Sequence, residues 1–170
     1  MLLIGRKIKI RNFEKADLKP FLELVKDKNN HDSSGLEYTT DEKFGADIFD
    51  LYLRREDVYA IALKDNDLMI GLIELNKRGV TQTLLATREI GFVIDKKFRH
   101  KGYAKEAVQL LIDYGFNELK LTEIWAGSRE DNPISQKLLE KLKFEYIYKV
   151  NQAVPYVSQV NIVKYYLLKK

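Results

Sequence analysis

The sequence contains no cysteine and only two histidines among its 170 residues. Disulfides, thiolate metal ligands and a cysteine nucleophile are therefore excluded, and a zinc site is not expected. The opening segment MLLIGRKIKIRNFEKAD holds too short an apolar stretch for a signal peptide. The sequence also lacks the run of about 18 apolar residues that a membrane helix needs. We expect a cytoplasmic protein with no metal and no membrane partner.

Charge of one sign is not in large excess either, since 29 Lys and Arg oppose 25 Asp and Glu to give a net charge of +4. Such a mild excess does not by itself indicate nucleic-acid binding. The charges are unevenly spread, with basic side chains clustered in residues 96–105 and acidic ones in 41–57. With 45% hydrophobic residues, the chain suits one domain, which we expect to span residues 1–170.

Hydrophobic periodicity predicts strands and helices in a mixed order. The strands are expected at 6–13, 58–64, 68–76, 89–95, 121–127, 143–150 and 161–170, and the helices at 17–28, 41–57, 104–119 and 132–142. Residues 28–40 are predicted to form a polar loop, and 77–87 are ambiguous. Strand and helix alternate in the middle and hairpins flank them, which indicates an α/β (α+β) fold with a mixed sheet and helices on its faces.

The segment RHKGYA, residues 99–104, joins a predicted strand to a predicted helix. The first amides of a helix have no internal partners, and the helix dipole adds positive charge there, so such a junction favours an anion. Gly102 permits a positive φ and close approach of a phosphate to the backbone, while Arg99, His100 and Lys101 supply charge. Neither a Walker loop nor a Rossmann fingerprint is present, and an ordinary surface turn is the alternative interpretation.

The longer segment FRHKGYAKEAVQLLIDYGF resembles the acetyl-CoA signature of the GNAT superfamily of N-acetyltransferases, Gln/Arg-x-x-Gly-x-Gly/Ala. Arg99, Gly102 and Ala104 fill its three fixed positions. The order of elements is similar over essentially the whole chain, and the closest likeness is to the branch acetylating ribosomal-protein N-termini, spermidine or aminoglycosides. The resemblance implies a GNAT-like, mostly antiparallel central sheet of about seven strands flanked by four helices.

The resemblance also implies that acetyl-CoA lies in a V-shaped gap between two central strands, 89–95 and 121–127. Its pantetheine arm would pair with the exposed edge of the first strand, and its pyrophosphate would bind the amides of residues 99–104. The residues assigned to the cofactor in this way are Phe92, Val93, Ile94, Arg99, His100, Lys101, Gly102, Tyr103, Ala104, Asn132 and Ser135. Asn132 is in addition a predicted helix cap before Pro133, and a serine in a first helical turn is ordinary.

For the chemistry, the resemblance implies direct attack of an amine on the thioester within a ternary complex. A carboxylate should accept the ammonium proton; Glu89 is the first candidate and Glu74 the second, and each is alternatively an exposed charge at a strand end. The amide of Val93 would stabilise the oxyanion, and Ser135 would lie near the sulfur. The sequence departs from the family at Leu139, where many members carry a tyrosine acid.

A second departure is Lys143, which replaces the usual glycine before Phe144. The acceptor site would involve the acidic segment 41–57 and the loop 29–38, where His31 and Tyr38 are either functional or ordinary loop and packing residues. Tyr156, in the segment NQAVPYVSQ, belongs to a loop that either covers the acceptor or forms a homodimer contact.

Two competing functions use the same features. A non-catalytic acyl-CoA binding or sensor domain would keep the fold without turnover, as Leu139 allows. A nucleic-acid binder would use residues 96–105 as a basic patch, but the acidic remainder argues against it. We expect an acetyl-CoA-dependent N-acetyltransferase that acts on a primary amine such as a protein N-terminus, a polyamine or another small amine.

Overall fold

The computed structural model describes residues 1–152 and 161–170. Within them, one sheet contains the strands β1 (Leu2–Ile4), β2 (Ile8–Arg11), β3 (Val58–Leu63), β4 (Met69–Lys77), β5 (Thr87–Ile94), β6 (Glu123–Arg129), β7 (Glu145–Asn151) and β8 (Ile162–Lys169). The α-helices of the described chain are α1 (Leu18–Val25), α2 (Lys28–Ser34), α3 (Glu42–Tyr52), α4 (Tyr103–Asn117) and α5 (Pro133–Lys141).

The strand order in this open sheet is β1-β2-β3-β4-β5-β6-β8-β7. Every neighbouring pair is antiparallel except β5 and β6, which run parallel in the middle. The parallel pair arises because α4 carries the chain from the end of β5 back to the start of β6, the crossover that parallel strands need. The predicted mixed, mostly antiparallel GNAT-like sheet is confirmed.

Two apolar cores lie on opposite faces of the sheet, because successive side chains of a strand point to opposite sides. Ile90 and Ile94 belong to the core that α4 and α5 complete, where Leu111 is fully buried. Val93 belongs to the other core, which contains Phe21 of α1. Odd-numbered positions of β5 therefore face the side of α1 and α3, and this places Glu89 and Gly91 there as well.

The described residues form one strand and one α-helix more than the predicted seven strands and four helices. The additional strand is β1, whose three residues pair with β2 and carry the exposed side chains of Leu2 and Ile4. The additional helix is α2, within the segment that was predicted to be a polar loop. The carboxylate of Asp27 accepts a hydrogen bond from the Asn29 amide at its start, and Gly35 ends it in the left-handed conformation with φ of 76°.

The ambiguous segment 77–87 contains a 3-10 turn at Gln82–Leu84, and β5 then starts two residues earlier than predicted. The last two strands are antiparallel neighbours, as expected. No helix within residues 1–152 or 161–170 combines the length and apolar character needed to cross a bilayer.

Candidate active site

The parallel ladder between β5 and β6 is short. It runs from the pair Thr87–Glu123 to the pair Ile90–Ala126 and then stops. Beyond that point β5 stays paired with β4 as far as Ile94, and β6 stays paired with β8 as far as Arg129. The two central strands therefore separate, and the backbone edge of residues 91–94 faces a V-shaped gap at the predicted place.

The turn from β5 into α4 contains the segment that the sequence predicts to bind an anion. Gly102 has φ of 85°, in the left-handed region that glycine tolerates best, and a Cβ placed there would meet no atom within 4 Å. Among the described residues no side chain caps α4, so its first amides are left for an external acceptor. We call residues 99–104 the anion turn. Its backbone suits a phosphate group.

The basic side chains of the anion turn differ in what they do. Lys101 is exposed, with its ammonium 5.3 Å from the centre of the Phe98 ring. Arg99 instead points inward: its Nε donates to the carbonyl oxygen of Ile94 at 2.9 Å, and its Nη2 donates to Oδ1 of Asn30 at 2.6 Å. Arg99 was expected to supply mobile charge, but its side chain is engaged in fixing the end of β5. His100 is exposed and left-handed, with φ of 62°.

Asn132 and Ser135 lie just after the end of β6, at the start of α5. The Asn132 side chain accepts a hydrogen bond from the Ser135 amide at 3.2 Å, and Pro133 follows it, so the predicted cap is confirmed. Leu139 is completely buried and packs in the core, which accounts for an apolar residue there. Lys143 adopts φ of 69°, so the turn before Phe144 keeps the left-handed conformation that a glycine would adopt.

A cavity of about 340 Å³ opens on the sheet face that α1 and α3 cover. Its lining includes Glu74, Glu89, Gly91 and Val93 from the sheet, Arg55 after α3, and residues 34–36 at the end of α2. A Cβ on Gly91 would meet no atom within 4 Å, so the cavity reaches the strand backbone there. The cavity thus lies beside the residues where β5 and β6 separate.

Glu89 is half-buried in this cavity, and burial raises the pKa of its carboxyl group, while Arg78 partly offsets the effect. The Arg78 Nε lies 3.7 Å from the Glu89 carboxylate, and the Arg78 guanidinium lies 4.1 Å from the centre of the Trp125 ring. Trp125 is opposite Glu89 in the β5–β6 ladder. The Trp125 ring therefore holds the Arg78 guanidinium in place, and this guanidinium faces the Glu89 carboxylate.

Glu74 lines the same cavity from the neighbouring strand, but it is more tightly engaged. Asn76 Nδ2 donates to its carboxylate at 2.6 Å, and Arg55 Nη2 lies 3.5 Å away. Tyr52 is close by, and burial, reinforced by the charge of Glu74, raises the pKa of Tyr52 to about 12. Sequence reasoning missed Tyr52, Arg55 and Arg78, because nothing in their local pattern distinguishes them from ordinary helix and strand-end residues.

Comparison with known proteins assigns these features to a family. The family described as "Acetyltransferase (GNAT) domain" matches residues 7–145. The chain belongs to the GNAT acetyltransferases. The predicted family and enzyme class are thereby confirmed, and enzymes of this family transfer an acetyl group from acetyl-CoA. The splayed strands and the open anion turn fit that cosubstrate.

Several relatives of this GNAT protein are known. The uncharacterized N-acetyltransferase YnaD of Bacillus subtilis is 27% identical over 147 residues, which cover 84% of this chain and 81% of YnaD. Other Bacillus relatives match over only about half of their length. A crystal structure of a GNAT-family acetyltransferase from Bacillus anthracis has a TM-score of 0.88 at 25% identity, over 99% of this chain and 98% of that one.

A spermidine N-acetyltransferase from Vibrio cholerae, solved with CoA and spermine, shares the fold at a TM-score of 0.80. It is 19% identical and the match covers 97% of this chain and 96% of that chain, so it shows the GNAT fold alone.

The two segments predicted to form the acceptor site both reach the cavity, through residues 34–36 and through Tyr52 and Arg55, but His31 and Tyr38 do not line it. His31 is exposed, with Nδ1 2.7 Å from the carbonyl oxygen of Leu36, and Tyr38 is exposed as well. Tyr156 lies outside the described residues. No group of three or more His, Cys, Asp or Glu side chains arranged to hold a metal ion occurs in the part of the chain that the structure describes.

Proposed function

We propose that this protein transfers an acetyl group from acetyl-CoA to a primary amine, such as a protein N-terminus, a polyamine or another small amine, within a ternary complex. The observation that carries the proposal is the end of the β5–β6 ladder at Ile90 and Ala126. Beyond that point the edge of β5 is open, the carboxylate-lined cavity borders it at Gly91, and the strand leads on to the anion turn. Family membership supports acetyl transfer in general, whereas the acceptor is part of the proposal.

In this proposal the backbone amides of the anion turn hold the pyrophosphate, with the positive end of α4 behind them. The other residues assigned to the pyrophosphate site belong to it because they lie in this turn: His100, Lys101, Tyr103 and Ala104. The pantetheine arm pairs with the open edge of β5 as an added strand, through the backbone of Phe92 and the amide of Ile94. Val93, between them, directs its backbone groups to β4, and the Ile94 carbonyl already accepts from Arg99. Acetyl-CoA supplies the thioester.

Glu89 is the proposed base. An alkylammonium ion holds its proton firmly at neutral pH, so a carboxylate whose pKa lies above its ordinary value is better matched to remove that proton. Burial has this effect on the pKa of Glu89, and its carboxylate accepts no hydrogen bond from the described residues. Glu74, bound by Asn76 and facing Arg55, is the weaker candidate.

Two further groups of the chain have proposed roles near the reacting carbon. An amide of the open edge of β5, that of Phe92 or Ile94, donates to the oxyanion that develops at the thioester carbonyl. The Val93 amide, which the resemblance implied for this role, is directed at the Leu72 carbonyl of β4, because the bond from the Asp95 amide to the Ile70 carbonyl places Val93 and Leu72 in a hydrogen-bonded pair.

Ser135, half-buried in the first turn of α5, relays a proton from solvent to the leaving thiolate, a role that the buried side chain of Leu139 cannot fill. The Asn132 side chain contributes to the cofactor site in addition to capping α5.

The acceptor is proposed to enter the cavity between the sheet and α2. Two carboxylates, those of Glu74 and Glu89, line this space with one guanidinium, that of Arg55. Arg78 also faces Glu89, so the charges are balanced overall, and Glu89, whose carboxylate accepts no hydrogen bond from the described residues, is the group proposed to receive a cationic amine. The cavity volume of about 340 Å³ admits a small amine or the first residue of a peptide.

The test is a thiol-release assay with acetyl-CoA against peptide N-termini, polyamines and aminoglycosides. We expect at least one amine to accelerate CoA release in the wild type, and Ser135→Ala to lower kcat without changing the affinity for CoA. Full kcat in Ser135→Ala would refute the role of Ser135. Tight CoA binding without thiol release for any amine would instead support a non-catalytic acyl-CoA binding domain.

A further inference from the structure

Asn30 is a buried polar residue that the proposed chemistry does not use. It lies on α2, and only 2% of its surface is exposed. Its Nδ2 donates to the carbonyl oxygen of Leu24 at 2.9 Å, and its Oδ1 accepts from Arg99 Nη2 at 2.6 Å. A buried side chain that forms such short bonds at both ends is fixed in position.

Arg99 connects this residue to the cofactor side of the molecule. Its backbone is the first residue of the anion turn, and its Nε donates to the carbonyl oxygen of Ile94, the last residue of β5. One guanidinium group therefore joins the end of β5, the anion turn and α2. A parallel link, Lys96 to Asp27 at 3.8 Å, joins the same segments, but Lys96 is largely exposed and such surface pairs contribute little.

Helix α2 leads into the other side of the site. Ser34, its last residue, and the following Gly35 and Leu36 line the cavity, and α2 packs against both β5 and β6, the strands that form the gap. We call residues 28–36 the roof. The Asn30–Arg99 bond is thus a buried polar connection between the roof of the cavity and the anion turn.

We propose that Asn30 is a positioning residue that ties the roof to the anion turn through Arg99, so that a cofactor bound at the turn fixes the roof for the acceptor. This inference rests on the proposed function, because it takes the anion turn as the CoA site and the cavity as the acceptor site. An anion that engages the amides of an exposed turn stiffens it, and the guanidinium passes this restraint to α2.

Coupling of this kind is reciprocal: if CoA orders the roof, an ordered roof strengthens CoA binding by the same factor. A purely structural role for Asn30 makes a different prediction. Its replacement would then lower the stability of the whole protein without changing how α2 responds to CoA.

Hydrogen exchange with and without CoA separates the two roles and needs no acceptor. In the wild type we expect CoA to slow exchange both in residues 99–104 and in the roof, the latter by about fivefold or more, the lower end of typical coupling. In Asn30→Leu, which removes both side-chain bonds and keeps the branching at Cγ, CoA should still slow exchange in 99–104 but no longer in the roof. Asn30→Asp keeps an acceptor for Arg99 and should restore the response.

Two matched controls complete the design. Lys96→Ala removes only the exposed ion pair and should leave roof protection as in the wild type. Val25→Ala weakens the core beneath α1, where Val25 is 1% exposed, and should lower stability while keeping the response of the roof to CoA.

The outcomes distinguish this inference from the proposed function. If CoA does not bind the wild type, or does not protect 99–104, the proposed function fails. If CoA protects 99–104 but leaves roof exchange unchanged in the wild type, the coupling is refuted and the function stands. Equal roof protection in Asn30→Leu and wild type also refutes it. Should Asn30→Leu not fold, Asn30→Ala, which also removes both side-chain bonds without adding volume, takes its place.

Discussion

Ile90 and Ala126 form the last pair of the parallel ladder between β5 and β6. Each strand continues beyond this pair with its antiparallel outer partner, β4 for β5 and β8 for β6. Antiparallel pairing is the more stable per residue, so each strand follows its outer neighbour where the two directions diverge. The residue after Ile90 is Gly91, which borders the cavity, so the gap and the cavity meet there.

Replacement of Glu89 by glutamine tests the proposed base. We expect kcat/KM to fall by about 10² to 10⁴, the range typical of lost general-base catalysis. The matched variant Glu74→Gln, in the same cavity, should have a smaller effect. A full kcat/KM with an unchanged pH–rate profile in Glu89→Gln would show that Glu89 is not the base.

Although Glu89→Gln should be less active than the wild type, it should be more stable at neutral pH. Because burial raises the pKa of Glu89 in the native state, the native protein binds this proton more tightly than the unfolded chain does. The resulting stabilisation is complete below the ordinary glutamic acid pKa of about 4.3 and is lost as pH rises through the native-state pKa.

Glu89→Gln should therefore have a higher melting temperature than the wild type at pH 7 and lose this advantage near pH 4. Thermal unfolding of both proteins at the two pH values checks this. An advantage for the wild type that grows between pH 4 and pH 7 would contradict the raised pKa.

Arg78 should control the pH at which Glu89 ionises. Its guanidinium, held on the Trp125 ring, lowers the pKa of Glu89 against the effect of burial. Arg78→Gln should raise that pKa further and move the acid limb of kcat/KM to higher pH, whereas Arg78→Lys keeps the charge and should move it less. An unmoved acid limb in Arg78→Gln, with Glu89→Gln inactive, would show that Arg78 does not act through Glu89.

Asn132 combines two roles that its variants separate. Asn132→Ala removes the cap of α5 and should lower the free energy of unfolding by about 1 kcal/mol. Asn132→Ser keeps a capping oxygen, so it should retain stability but bind CoA more weakly if the amide contacts the cofactor. Urea unfolding and calorimetric titration measure the two effects. If Asn132→Ser binds CoA with wild-type affinity, capping α5 is the only one of the two roles that remains for Asn132.

Lys143 carries backbone strain that glycine would relieve. It ends α5 with φ of 69°, where the Phe144 amide donates to the Leu139 carbonyl and the Lys143 amide to that of Glu140, each at 3.0 Å. This is the glycine-favouring C-terminal motif of a helix. Lys143→Gly should raise the free energy of unfolding by about 1 kcal/mol, and Lys143→Ala should not. If Lys143→Gly and Lys143→Ala change the free energy of unfolding equally, backbone strain at Lys143 is not the cause of the change.

Sequence patterns predicted most of the fold because its strands and main helices bury apolar residues at regular spacing. The exceptions lack this signal. Strand β1 has three residues and exposes two of its side chains, and Asn30 is the only buried residue of α2. Only the residues at its ends mark α2 in the sequence: Asp27 is a suitable N-cap, and Gly35 readily adopts the left-handed conformation that ends a helix.

The candidate site was predictable where backbone conformation determines it, as at Gly102 and Asn132, since glycine and asparagine mark such positions directly. Side-chain direction was not predictable. The charge of Arg99 is evident in the sequence, but its partner Asn30 is 69 residues away. The contact of Arg78 with Trp125 likewise depends on how β4 and β6 approach β5.

The affinity of Gly102→Asp for CoA tests the central claim most directly, with folding verified by circular dichroism and thermal unfolding. A Cβ and a carboxylate at φ of 85° would occupy the open approach to the amides of α4, so we predict at least about a tenfold loss of affinity. Lys143→Asp, also at a left-handed residue but outside the site, changes the net charge more and should bind CoA normally. Undiminished CoA binding by folded Gly102→Asp protein would contradict the assignment of the anion turn as the cofactor site.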